Sequence, residues 1–236
     1  MIIFNKTARH DRNWESTDAK LVETVHTGST LKVHNLRNFK WRSSTTCHSE
    51  WNDQAYDLSQ LCGVDLIVVP IGIRSLCAHT MLRFNFNSSD SLIISIEARK
   101  EKGAHYSFGK AFFGKFELFY VFGTETDLLE LRTLHRRNQV YALPIKAQPE
   151  FIMNLLLNLC QKANQLVEQP QVYSLLNNNC TTCLINAVNH VQPHALNARW
   201  QTLFPARIPR LLHKHGLIAT DLPYDETMLK CNIPSH

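Results

Sequence analysis

No stretch of this sequence approaches the ~20 consecutive apolar residues that a membrane-spanning helix requires. The nearest candidates, residues 118–122 and 152–159, are short or interrupted by Asn. The first twelve residues hold no apolar core of the secretory kind. From the residues alone, the expectation is a soluble chain with no signal or anchor. Internal repeats and low-complexity tracts are also missing, which excludes a solenoid or an array. A disulfide framework is excluded too. The cysteines are Cys47, Cys62, Cys77, Cys160, Cys180, Cys183 and Cys231, an odd number with scattered spacing. Cys180-x-x-Cys183 has the spacing of a redox pair or of half a zinc site. A structural zinc would want a second pair, and His190 and His194 do not supply one. Neither a metal nor a cofactor is expected. Charge is not concentrated either. The formal net charge of +5 is spread along the chain; it is compatible with an anionic membrane surface or with nucleic acid and demonstrates neither, and nucleic acid is not expected as a partner.

What is present is an ordinary globular balance, 44% hydrophobic and 19% charged. At 236 residues the chain is read as a single domain spanning 1–236, with residues 1–15 as a flexible arm. A chain of this length buries about three-quarters of its unfolded surface and needs no staples.

The pattern predicts an α+β fold. Residues 1–28 read as an arm or loop, residues 30–41 as a strand with an irregularity, and residues 43–57 as a long polar loop. The apolar run 64–73 reads as a buried strand. Residues 80–86 and 91–98 read as a pair of strands around the turn at 87–90. Residues 116–122, 128–133 and 140–145 are further strand candidates. Pro149 opens a helix whose apolar positions (Phe151, Leu155, Leu156, Leu159, Ala163, Leu166) recur at helical spacing as far as Pro170. Three Asn residues, 177–179, precede a second helix that starts near Cys180 and runs to about Val191. The tail from 203 onward is expected to wrap the surface.

Chemistry centres on the start of that second helix. A thiol attacks as the thiolate, and its pKa falls at a helix N-terminus and beside a histidine. Cys180 stands in that field, and its own N–H would serve as an oxyanion donor. The plainer reading is a small buried residue at a capped helix start. His79, at the entrance of a strand, suits a rigidly held base, or equally a hydrogen-bonded surface histidine. Glu97, on the neighbouring strand, would accept from the imidazole and fix its tautomer. Alternatively it faces solvent or pairs with Arg99.

Several short blocks occur in a fixed order: Val33-His-Asn-Leu-Arg-Asn-Phe39, Tyr56-Asp-Leu58, Ala78-His-Thr80, Ile94-Ser-Ile-Glu-Ala-Arg99, Tyr120-Val-Phe-Gly123 with Asp127 and Arg132, and Asn178-Asn-Cys-Thr-Thr182. Together, from about Trp14 to Tyr224, they resemble the Lnb N-terminal periplasmic domain family, a permuted relative of NlpC-type and papain-like cysteine enzymes. His79 precedes Cys180, the permuted order. The resemblance implies a circularly permuted papain-like fold, with an antiparallel sheet packed on the helix that begins at the nucleophile. It implies that Cys180 carries an acyl thioester, that His79 is base and then acid, and that Glu97 orients it. It also implies that Tyr173 supports the oxyanion hole; the residues alone equally allow Tyr173 to pack under the helix.

Family members characterised as Lnb transfer an acyl chain to the amino terminus of bacterial lipoproteins. The resemblance therefore implies a phospholipid acyl donor, a lipoprotein or another amine or water as acceptor, and a periplasmic or membrane-associated location. The Phe- and Gly-rich residues 103–116 would dock on lipid or line an acyl groove, or simply cover the core. Two other functions use the same residues: a cysteine peptidase or amidase acting on cell-wall peptide, and a non-catalytic binding module. A long apolar channel reaching Cys180 would favour lipid, and an open polar groove would favour peptide. Cys183, one turn on, is expected to be structural and to face the core.

Overall fold

The computed structural model describes residues 8–72, 77–87, 90–104, 109, 111, 114–196 and 205–234. Half of the Phe- and Gly-rich segment, including Phe108, Lys110, Phe112 and Phe113, and residues 1–7 of the expected arm lie outside the described residues. The fold is α+β, built on a large mixed sheet.

Among the described residues, nine strands form one sheet. Its spine is β1 (Glu23–Thr27), β2 (Thr30–Arg37), β9 (Glu117–Gly123), β8 (Leu92–Arg99), β7 (Cys77–Phe86), β6 (Leu61–Ile71), β10 (Val140–Pro144) and β11 (Asn232–Ile233), in that spatial order. β5 (Trp51–Asp57) pairs with β2 off this path, and β3 (Lys40–Trp41) with β4 (Cys47–His48) makes a separate two-stranded piece. The expected sheet was antiparallel throughout. It departs from that at one join, where β2 meets β9 in parallel through Arg37↔Gly123. A Cβ on Gly123 would come within 3.0 Å of Leu128 and 3.2 Å of the Arg37 carbonyl, so glycine permits this close approach.

Period-two alternation divides the inner strands between two cores. Val64, Leu66 and Val68 of β6, Leu82 and Phe84 of β7, Leu92, Ile94 and Ile96 of β8, and Leu118, Tyr120 and Phe122 of β9 face the larger one. That face is covered by α2 (Pro149–Glu168) and α3 (Cys180–Val191), which contribute Leu155, Leu156, Leu159, Leu184 and Ala187. The intervening residues Ile67, Val69, Met81, Ile93, Phe119 and Val121 face a smaller core, closed by Leu128 and Leu129 of a helical segment. That segment comprises α1 (Glu125–Leu128) and a π-turn (Leu131–His135).

Three expectations require correction. Residues 128–133 are helical, not a strand. Thr124 caps α1 by accepting from the Asp127 N–H, a Thr-x-x-Asp start that overrides the apolar run behind it. Residues 23–27, read as arm or loop, form a strand, and most of residues 43–57, read as loop, become β4 and β5. In β1 only Thr24 is buried, and in β5 only Tyr56, so neither strand carries an apolar face to reveal it. The irregularity expected in residues 30–41 is a bulge between Val33 and Leu36, with Asn35 at φ 58°.

The α1 segment is pinned by a buried ion pair. The Arg37 Nε and Nη2 atoms donate to the two Asp127 oxygens at 2.9 and 2.7 Å, and the Phe39 N–H and Trp41 Nε1 also donate to Asp127. Asp127 is fully buried and Arg37 nearly so. Removing one partner leaves the other charge uncompensated, so Asp127→Ala should cost about 3–5 kcal/mol of folding stability, measured by denaturant titration.

Candidate active site

α3 begins at Cys180 because Asn179 caps it. The Asn179 side chain accepts from the N–H of Thr181 and of Thr182, and the Thr182 hydroxyl accepts from the Asn179 N–H at 2.8 Å, a reciprocal box. Asn179 Nδ2 also bonds the Leu175 carbonyl at 2.7 Å, which fastens the preceding turn to the helix start. With the second and third amides occupied by the cap, the Cys180 N–H is the one left at the mouth of the helix.

The position of His79 follows from strand register. β7 and β8 pair from Phe84↔Leu92 to Met81↔Ser95 and no further. Beyond Met81, β7 continues to pair with β6 as far as Cys77↔Ile71, and β8 with β9 as far as Arg99↔Glu117. The sheet therefore splits between β7 and β8, and the start of α3 meets β7 at the split. Thr80 lies beside the Cys180 sulfur and favours its ionised form, Thr80 Oγ1 lies 3.3 Å from Thr181 Oγ1, and Thr181 Oγ1 lies 3.8 Å from Cys180 Sγ. Continued past Met81↔Ser95, the β7–β8 register sets His79 opposite Glu97. Both belong to the face of the smaller core, whereas α3 covers the larger one. The split sets His79 and Cys180 within interaction range across the plane of the sheet, where each shifts the ionisation of the other.

The other side of the imidazole is held by a short chain. His79 Nε2 donates to Ser95 Oγ at 2.8 Å and lies 3.2 Å from Glu97 Oε1. The Ser95 hydroxyl donates to the same Glu97 oxygen at 2.7 Å. Arg132 Nη2 adds a 3.1 Å bond to Glu97, while its Nη1 is anchored on the Leu128 carbonyl at 2.7 Å. With Nε2 committed to Ser95 and Glu97, Nδ1 is the nitrogen that faces the thiol. The Arg37–Asp127 pair fixes α1 and so fixes Arg132 behind Glu97.

These contacts set the charges. Burial alone would hold His79 neutral, but the Glu97 charge and the bonds to Cys180 and Glu97 outweigh it and raise its pKa to about 9. Burial would push the Cys180 thiol up, yet the His79 bond, the His79 charge and the Thr80 donors bring it down to about 7. Burial likewise opposes ionisation of Glu97, and His79 and Arg132 overcome it, holding the carboxylate well below its usual range. Between about pH 7 and 9 the pair is a thiolate beside an imidazolium. Cys180 is buried, while the His79 and Glu97 side chains keep 15% and 33% of their exposure, so solvent reaches the site from the imidazole side.

The structure thus brings Cys180, His79 and Glu97 together. Tyr173 is placed in the larger core with its backbone N–H on the Phe116 carbonyl, seven positions ahead of Cys180. Sequence reasoning missed Ser95, which is wholly buried between His79 and Glu97. Its signal was available: it lies two residues before Glu97, hence on the same face of β8. Arg132 was noted within a block, but its hold on Glu97 was not foreseen. Cys183 is 8% exposed, and its thiol donates to Asn178 Oδ1 at 3.3 Å.

A second feature adjoins Cys180. A cavity of about 530 Å³ lies between β6, β7, α2, α3 and α4 (Ile208–Lys214), and its wall includes Thr80 and Thr181, the two neighbours of the sulfur. Leu82, Phe151, Leu155, Leu184 and Leu212 make the rest of its lining largely apolar. No helix among the described residues is long and apolar enough to cross a membrane.

No curated protein and no solved structure matches the chain. The family described as the Lnb N-terminal periplasmic domain matches residues 48–215, which contain His79, Ser95, Glu97, Arg132, Tyr173 and Cys180. That match spans more than half of the sequence, and the chain belongs to the Lnb N-terminal periplasmic domain family.

Proposed function

We propose that this protein is a cysteine-dependent acyl-transfer enzyme that works through a thioester on Cys180, on a circularly permuted papain-like fold. The observation that carries the reading is the hydrogen-bonded chain from His79 through Ser95 to Glu97 and Arg132, set beside a Cys180 thiol that His79 brings down to about 7. A structural cysteine needs no such chain, and its thiol would be raised by burial, as those of Cys160 and Cys183 are.

In the first half-reaction the Cys180 thiolate adds to the acyl carbonyl, and the Cys180 N–H stabilises the oxyanion, with Tyr173 assigned as its support. Collapse breaks the bond to the leaving alkoxide, which takes the proton held at His79 Nδ1. In the second, neutral His79 removes a proton from the acceptor amine or water as it attacks the thioester, and the thiolate is released. Ser95 and Glu97 hold Nε2–H throughout, so the ring keeps its orientation as Nδ1 gains and loses a proton.

The apolar cavity beside Thr80 and Thr181 favours an acyl chain over a cell-wall peptide. We take the donor to be phospholipid and the acceptor a lipoprotein amino terminus or water, at the periplasmic face of a membrane. Incubation with phospholipid vesicles followed by intact mass should show a hydroxylamine-sensitive acyl adduct on Cys180. An adduct formed only from peptide or amide donors would move the assignment to an amidase, and no adduct from either donor would contradict it.

A further inference from the structure

The acyl-transfer reading leaves Cys183 without a part. It sits one turn past Cys180 on α3, buried against Tyr120, with its thiol bonded to Asn178. Two cysteines therefore share the first turn of a capped helix, one beside a cationic base and the other bonded to a neutral amide in the core. We propose that Cys180 and Cys183 form a reversible disulfide when the protein meets a hydroperoxide, with Cys183 resolving the oxidised nucleophile before it is lost to irreversible oxidation. The proposal uses the same ionised Cys180 as the acyl-transfer reading and assigns the site a modification in addition to a reaction.

Helix geometry allows the bond. Residues three apart on an α-helix have Cα atoms about 5 Å apart, inside the range disulfides adopt. Their Cβ atoms are about 5–6 Å apart, an ångström or so beyond the disulfide optimum. Cys180 is the first residue of the helix, where the backbone closes that gap most easily. The two thiols interact: burial and then the charge on Cys180 push the Cys183 thiol up to about 12. That asymmetry, an ionised Cys180 beside a protonated Cys183, assigns the first oxidation to Cys180. Cys160 is also buried, but it lies in the middle of α2. Cys77 is exposed at the start of β7, two residues before His79, and is the competitor that lies next to the base in the chain.

The step balances. The Cys180 thiolate attacks the peroxide oxygen, the O–O bond breaks, and with one proton the products are Cys180 sulfenic acid and water. The Cys183 sulfur then attacks the Cys180 sulfur. The sulfenic hydroxyl leaves with the Cys183 proton as a second water, and the S–S bond forms. Two electrons pass from the thiols to the peroxide.

The test treats the reduced protein with hydrogen peroxide near pH 7.5, blocks free thiols, and maps the cysteines by mass spectrometry. The wild type should lose two hydrogens, with Cys180 and Cys183 joined, and dithiothreitol should restore alkylation of Cys180 almost completely. In Cys183→Ser, peroxide should carry Cys180 to sulfinic and sulfonic acid, and dithiothreitol should restore little. Cys183→Ala should repeat this, and normal alkylation of Cys180 in both variants before oxidation shows that the site is intact. The proposal is overturned if wild-type Cys180 reaches sulfinic acid as fast as in the variants, or if its disulfide partner is Cys77 or another cysteine. No acyl donor is present, so this outcome is independent of the thioester experiment.

Discussion

Cys180→Ser should reduce acyl transfer from phospholipid by a factor of about 10³ or more and abolish the covalent adduct. Removing the nucleophile of a coupled nucleophile–base pair costs nearly as much as removing the whole unit, because the remaining members cannot act without it. A serine hydroxyl also ionises far above neutral pH, so the imidazolium would sit beside a neutral group. Cys183→Ser should retain most of the activity, since the Cys183 thiol bonds Asn178 and faces the core beside Tyr120, away from His79. Release of fatty acid or lysophospholipid from labelled vesicles compares the two variants. Equal losses would point instead to a redox or metal pair as the working unit.

The second large effect is on thiol reactivity. His79→Ala removes the bond and the charge that lower the Cys180 pKa, leaving burial unopposed, so the thiol should titrate at or above its ordinary value. A rise from about 7 to about 9 lowers the thiolate fraction at pH 7 by roughly 50-fold. The more basic thiolate is intrinsically more nucleophilic, which returns somewhat under tenfold. The net slowing of Cys180 alkylation at pH 7 should be about five- to tenfold. Ser95→Ala should slow it less, because Glu97 still lies within 3.2 Å of Nε2. Stopped-flow alkylation with the site assigned by mass measures all three proteins.

Much of this site is written locally in the sequence. Three Asn residues ahead of Cys180 mark a capped helix start, and helix starts depend on side chains within a few residues. His79 and Glu97 lie on strands flanking a recognisable turn, so their approach follows from hairpin register. Ser95 was legible by the same period-two rule and was passed over. The split between β7 and β8 was not legible. Both strands remain regular through it, and the break exists because α3, a hundred residues later in the chain, meets β7 at that point. The apolar cavity was beyond reach for a similar reason, since its wall gathers residues from β6, β7 and three helices. Among the strands missed, β1 and β5 each bury a single residue. Their identity comes from backbone pairing with β2, which leaves no trace in hydropathy. The segment at 128–133 was misread because its buried leucines suit either a strand or a helix, and the deciding signal is the cap at Thr124.

The central claim is that His79, held by Ser95 and Glu97, makes Cys180 an ionised nucleophile at neutral pH. The pH dependence of Cys180 alkylation tests it without any assumption about substrate. The rate should be low in acid, rise through an inflection near pH 7 as the thiol ionises beside a still-protonated His79, and hold as the pH increases further. In Glu97→Gln the imidazolium loses its largest support, and the inflection should move upward toward that of an ordinary thiol. An inflection for wild-type Cys180 at or above pH 8.5, unchanged by Glu97→Gln, would contradict the account.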